Sequence, residues 1–148
     1  MVNELEEKIE FHSIVQPNVS SASVGWHIEH SLLALDTSLR ALQKSDPKEY
    51  KWTFNLWRIL ILFYGKIPRG KGKAPKAVQP AEMLDEITLV DHVNRTKLGL
   101  EKLSSLGRGQ FMKHPYFGHL RLSSAKRFME MHTHHHLKII NDILNSHS

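Results

Sequence analysis

The 148-residue chain contains no cysteine. That excludes disulfides, zinc–thiolate and iron–sulfur centres, and a cysteine nucleophile, so any metal must be held by nitrogen and oxygen donors. A cysteine-free chain suits a reducing cytoplasm, and a cytoplasmic protein is expected. Long hydrophobic runs are missing too. The most apolar stretch, residues 56–64, includes Arg58 and is far too short to span a bilayer, so no membrane role is expected. The opening residues Glu4, Glu6, Glu7 and Lys8 are charged from the outset, so no secretory signal is expected. There is no internal repeat, no low-complexity tract and no run that reads as a convincing strand.

The formal charge is +5, and much of the excess is local: Lys66, Arg69, Lys71, Lys73 and Lys76 crowd into one Gly/Pro-rich stretch. Such a loop reads as a solvated surface. Without aromatic interleaving or a recognition motif, a nucleic-acid partner is not expected.

What is present is helical punctuation. A short leading helix is expected over 3–13, with Leu5, Ile9 and Phe11 inward. After a break rich in cap residues, with Ser21 or Ser23 as N-cap, the spacing of Ile28, Leu32, Leu35, Leu39 and Leu42 predicts a helix over about 22–44. Asp46 and Pro47 are read as opening a second long helix, about 47–64, with Trp52, Leu56, Ile59, Leu60 and Phe63 on its inner face and Gly65 closing it. Residues 65–80 form the longest irregular piece. A third helix is expected over about 81–105, with Met83, Ile87, Val90, Leu98 and Leu103 inward. A fourth spans about 122–146, with Ser123 or Ser124 near its cap and Phe128, Met131, His135 or His136, Ile139, Ile140 and Ile143 inward. Four long helices joined by two substantial loops predict an all-α fold, a four-helix bundle, in one domain of residues 1–148.

The richest chemistry lies at Met131-His132-Thr133-His134-His135-His136-Leu137. On a helix His132 and His136 are one turn apart on one face, so both can reach a single ion. His134 falls outside. A third imidazole from another helix would complete a site with open coordination positions. His27 and His30, in Trp26-His27-Ile28-Glu29-His30-Ser31-Leu32, are the candidates. Periodicity slightly favours His27, which is nearer the apolar stripe, and does not decide between them. Glu29 and Glu130 read as solvated charges, His12, His92, His119 and His147 as surface or partly buried residues, and Trp26, Trp52 and Trp57 as core.

The segment Trp26 to Leu32, about a hundred residues ahead of His132 to Leu137, resembles the DinB-like superfamily. The closest likeness is to a domain-of-unknown-function branch with His-Pro-Tyr-Phe-Gly before the last helix, here His114 to Gly118. The likeness runs from about residue 20 to 145. It implies an up-down-down-up bundle with a long crossover, and a divalent metal, zinc or nickel, on His30, His132 and His136. It also implies metal-dependent thiol-transferase or isomerase chemistry with a small thiol cosubstrate. The chain departs from the pattern in having extra histidines beside each ligand.

Two readings compete. One is a metal-dependent transferase or hydrolase acting on a small molecule. The other is a non-catalytic metal- or ligand-binding bundle, or a homodimeric interaction module using the basic loop 66–76. Ligand imidazoles must be neutral, so metal binding is expected to weaken below about pH 6.

Overall fold

The computed structural model describes residues 1–70, 74–81 and 84–147. They are mostly helical. In chain order come α1 (Val2–Glu6), α2 (Val24–Lys44), α3 (Leu56–Tyr64), α4 (Glu86–Glu101), β1 (Phe111–His114), β2 (Gly118–Arg121) and α5 (Leu122–His147). Among the described residues no helix is long and apolar enough to cross a membrane.

α2 is the hub, packing on both α5 and α4. Its predicted stripe, Ile28, Leu32, Leu35, Leu39 and Leu42, is buried throughout; Ile28, Leu32, Leu35 and Leu42 share one core with Phe128, Met131, Ile139, Ile140 and Ile143 of α5 and Leu89 and Val93 of α4, and Leu39 lies against Gly99 of α4. Ser23 is the N-cap, accepting from the Trp26 N–H at 3.1 Å. The leading segment is shorter than expected: α1 stops at Glu6, and a single tight turn, Ile9–Phe11, carries Ile9 into the core. That segment is clamped to α2. Val24 and Gly25 donate their N–H groups to the carbonyls of Ile14 and His12, at 2.9 and 2.8 Å.

Gly25 is required by that approach. A Cβ there would lie 2.9 Å from the His12 carbonyl oxygen and 3.1 Å from its Cβ. Alanine in a helix normally gains about 1 kcal/mol over glycine. Here Gly25→Ala is expected to lose stability instead, by about 1–3 kcal/mol, because backbone must move. The midpoint of urea unfolding checks this, and a rise in the midpoint would refute it.

Several expectations are corrected. A two-stranded antiparallel hairpin is present where no strand was read. It pairs Phe111 with Arg121, Met112 with Leu120 and His114 with Gly118, and buries Met112 and Leu120. Neither four-residue strand alternates buried with exposed positions, so no period-two pattern could register. The helix expected from Pro47 starts only at Leu56. Pro47–Glu49 forms one tight turn and residues 50–55 are not helical. This segment is held on the hairpin: the Lys51 N–H donates to His119 Nδ1 at 2.9 Å, and the Tyr50 ring meets Phe111 edge-on. Asn55 is the true cap, accepting from the Arg58 N–H at 2.9 Å.

Trp52 and Trp57 are exposed rather than core, as are Leu56, Ile59, Leu60 and Phe63. α3 instead turns Arg58, Ile61 and Leu62 inward. α4 starts at Glu86, capped by Asp85, and its inner residues are Leu89, His92, Val93 and Thr96 rather than Ile87, Val90 and Leu98, which face solvent. Met83, Lys71 and Lys73 lie outside the described residues.

Candidate metal centre

Two helices and one loop build the site. α2 supplies His30 and α5 supplies His132 and His136, one turn apart as predicted. One ligand nitrogen from each of the three lies within 4.8 Å of the others, close enough for a single ion to be held between them. The ring centroids are 5.1 Å (His30–His132), 4.6 Å (His30–His136) and 4.7 Å (His132–His136) apart. His30 and His136 are buried and His132 is half-buried.

The loop contribution is Val78. His30 Nδ1 donates to the Val78 carbonyl at 2.7 Å, which makes Nδ1 the protonated nitrogen and leaves Nε2 with a lone pair. The Trp26 ring stacks on His30 at 4.9 Å and fixes its plane from the other side. Val78 ends the short tight turn Lys76–Val78, and no local pattern in the chain could have identified it.

His27 is also buried but stands behind the trio. Its Nδ1 and the Nδ1 of His136 share a hydrogen bond at 3.0 Å, and its Nε2 meets Ser20 Oγ at 3.0 Å. Of the two α2 histidines, His30 clusters with His132 and His136, whereas His27 contacts His136 from behind. His134 points to solvent, as expected, and His135 is half-buried with its ring edge-on to His136.

Electrostatics favour neutral imidazoles here. Burial, followed by the nearby His30 and His135, holds His132 down at about 3. Burial and His30 hold His27 at about 4. Burial also lowers His136 and His30, the Val78 carbonyl partly opposing it for His30. Neutral imidazole nitrogen is the form that binds zinc, nickel or copper, so the donor set fits a nitrogen-preferring divalent ion.

His114 flanks the centre. Its ring stacks on Phe117 and meets Phe128, which in turn contacts His132. Its Nδ1 accepts the N–H groups of Tyr116 and Phe117, and burial holds it at about 4. Phe117 is buried and Tyr116 exposed. On the far side of Trp26 a cleft of about 640 Å³ opens between the starts of α2 and α4, bordered by His12, Ser21, Ser23, Leu84 and Asp85.

One polar cluster escaped the sequence reading. His92 is buried, not a surface residue. Its Nδ1 donates to Glu29 at 2.8 Å, and its Nε2 lies 3.2 Å from Asp36, which also accepts from Thr96 Oγ1 at 2.9 Å. Glu29 is correspondingly buried, not solvated. The available signal was the spacing His92–Thr96 on α4 facing Glu29 and Asp36, seven apart, on α2.

A mostly helical protein with a largely buried cluster of three histidines able to hold a metal ion is the class that fold and site define. More narrowly, the chain belongs to the family described as protein of unknown function (DUF1569), whose model matches residues 20–142. No curated protein matches it, and no solved structure does.

Proposed function

We propose that the protein binds one divalent metal ion, zinc or nickel, through ring nitrogens of His30, His132 and His136, and uses it as a metal-dependent transferase or hydrolase on a small molecule, with a small thiol as cosubstrate. Residues 1–148 are read as one domain. Its four longer helices are read as a DinB-like bundle with up-down-down-up order, the residues between α3 and α4 being the crossover. The observation that carries the reading is the convergence of three imidazoles, two buried and one half-buried, one of them with its tautomer set by the Val78 carbonyl. Metal-ligating histidines ordinarily donate their other N–H to such a carbonyl.

A three-nitrogen zinc centre leaves a coordination position open, and the ion lowers the pKa of a bound water or thiol into the neutral range. The chain's own part is to hold the rings. With Nε2 of His136 given to the metal, its Nδ1–H donates to His27 Nδ1, and His27 Nε2–H donates to Ser20 Oγ. The half-buried side at His132, next to Phe128 and His114, is the side from which a substrate reaches the centre. The deep enclosure of His30 and His136 favours one second reading, a non-catalytic metal binder.

Metal analysis of untagged protein tests the site, with one ion per chain expected. Turnover of small electrophiles with thiols such as glutathione, with and without added metal, separates enzyme from binder.

The lowered imidazole pKa values shift the acid limit below the sequence-based expectation of about pH 6. Three imidazoles of ordinary pKa, near 6.5, would lose roughly a thousandfold in metal affinity between pH 7.5 and 5.5, about tenfold for each proton displaced. With His132 held at about 3 and His30 and His136 also lowered, a loss of less than about tenfold is expected over that range. Competition titrations against a chelator at the two pH values decide.

A further inference from the structure

α3 is apolar on every side yet covered on only one. Its single charge, Arg58, turns inward and donates to the carbonyls of Phe117 and Thr53, and Ile61 and Leu62 pack beside it against the core. The larger face looks outward. Trp52 is 66%, Phe54 70%, Trp57 69%, Phe63 76% and Tyr64 67% exposed, with the exposed aliphatic residues of α3 between them. A helix hydrophobic all round normally lies inside a protein.

We propose that this face is the contact between two copies of the chain, with α3 and the preceding residues 52–55 of one copy lying on the same elements of the other about a twofold axis. Area carries the argument. A whole aromatic side chain presents ~150–250 Å², so the five aromatics and their aliphatic neighbours leave on the order of 1,000 Å² of apolar surface in water. A standard stable interface buries about 800 Å² on each partner, whereas the largest patch on a monomer is ordinarily about 300–600 Å². Composition agrees, since residues 52–64 hold no outward charge and are rich in Trp and Phe, as the centres of homodimer interfaces are. The basic residues beside the patch are Lys51 and Lys66, which flank it in sequence, and Arg127, which donates to the Leu62 and Phe63 carbonyls at one end of α3, so like charges would meet at a solvated rim where salt screens them. One patch that is large enough and meets itself is what a twofold contact requires.

The full chain, studied by light scattering and sedimentation from about 1 to 100 µM, is expected to show twice the 17.1 kDa of one chain. Trp57→Glu with Phe63→Glu should return it to the monomer with its helical circular dichroism intact. Should that variant fail to fold, Leu60→Cys gives a milder readout in a chain otherwise free of thiols. Its reaction with a maleimide is expected to slow at least about tenfold as protein concentration rises into the dimeric range. A monomer at 100 µM would overturn the proposal. So would a dimer that survives the double substitution, or a thiol that reacts equally fast at every concentration. A monomer that sediments with phosphatidylserine vesicles through the same residues would overturn it as well, assigning the face to a membrane surface.

Discussion

His136→Ala is expected to abolish stoichiometric metal binding, and His132→Ala and His30→Ala to do the same, whereas His27→Ala should keep one ion per chain but bind it about 10–100-fold more weakly. The difference follows from position. His30, His132 and His136 each bring a ligand nitrogen within 4.8 Å of the others. His27 instead reaches the shared point only through His136 Nδ1. Removing a ligand from a three-nitrogen site leaves two donors, too few to compete with water. Removing the group that orients a ligand costs the smaller factor typical of such supporting hydrogen bonds. Thermal melts supply a second readout. At a metal concentration of about 100 Kd the folded state gains ~2.7 kcal/mol, which for a chain of this size raises Tm by roughly 5–10 °C. That rise should vanish in the three ligand variants and persist, at higher metal concentration, in His27→Ala. Full occupancy in His30→Ala with loss in His27→Ala would reverse the assignment.

The second large effect concerns the clamp between α2 and α4. His92→Leu is expected to destabilise the fold by about 3–5 kcal/mol, lowering Tm by roughly 10 °C or more, because Glu29 and Asp36 would then face an apolar side chain at a closed interface. The hydrogen bonds to Asp36 and Glu29 raise His92 to about 9, so it stays protonated between them at neutral pH. Adding Glu29→Gln to His92→Leu should recover part of the loss, since most of the cost is stranded charge rather than a missing contact. A loss under about 1 kcal/mol by urea unfolding would show that water reaches the cluster and screens it.

The same residue sets a pH window. His92 has a folded pKa above its unfolded value, so its contribution is fully present below about pH 6.5 and disappears as pH rises through about 9. The site histidines act in the opposite sense. Their folded pKa values lie below 6.5, to about 4 for His27 and about 3 for His132, so the unfolded chain binds protons first and stability falls as pH drops below 6.5. Metal-free protein is therefore expected to be most stable near pH 6.5, weakening on either side. His92→Leu should remove the decline on the alkaline side and leave the acid side intact, which melts from pH 4 to 9.5 would register.

What could be read along the chain were features with a local cause. The α2 stripe, the Ser23 side-chain cap, the Gly65 stop and the His132–His136 pair all depend on residues within one or two turns of each other, and all are in place, whereas Asp46 caps only the short turn Pro47–Glu49 and not the long helix expected of it. On α3 and α4, where apolar periodicity was the only guide, it pointed to the wrong face because polar residues belong inside. α4 buries His92 and Thr96 because Glu29 and Asp36 wait for them on α2. α3 buries Arg58 because the Phe117 and Thr53 carbonyls accept from it. The delayed start of α3 has the same origin, since Tyr50 and Lys51 are held by Phe111 and His119 of a hairpin some sixty residues further on.

By itself, then, the chain determined that it would be mainly helical, that its interior would lack sulfur ligands other than methionine, and that two imidazoles would share a face of its last helix. Which histidine of α2 joins them was decided only in three dimensions. His27 and His30 are three residues apart on one helix, and a rotation of under one turn separates the residue inside the cluster from the one behind it. That rotation is set by packing on α5 and by the Val78 carbonyl, a group whose partner no local pattern specifies.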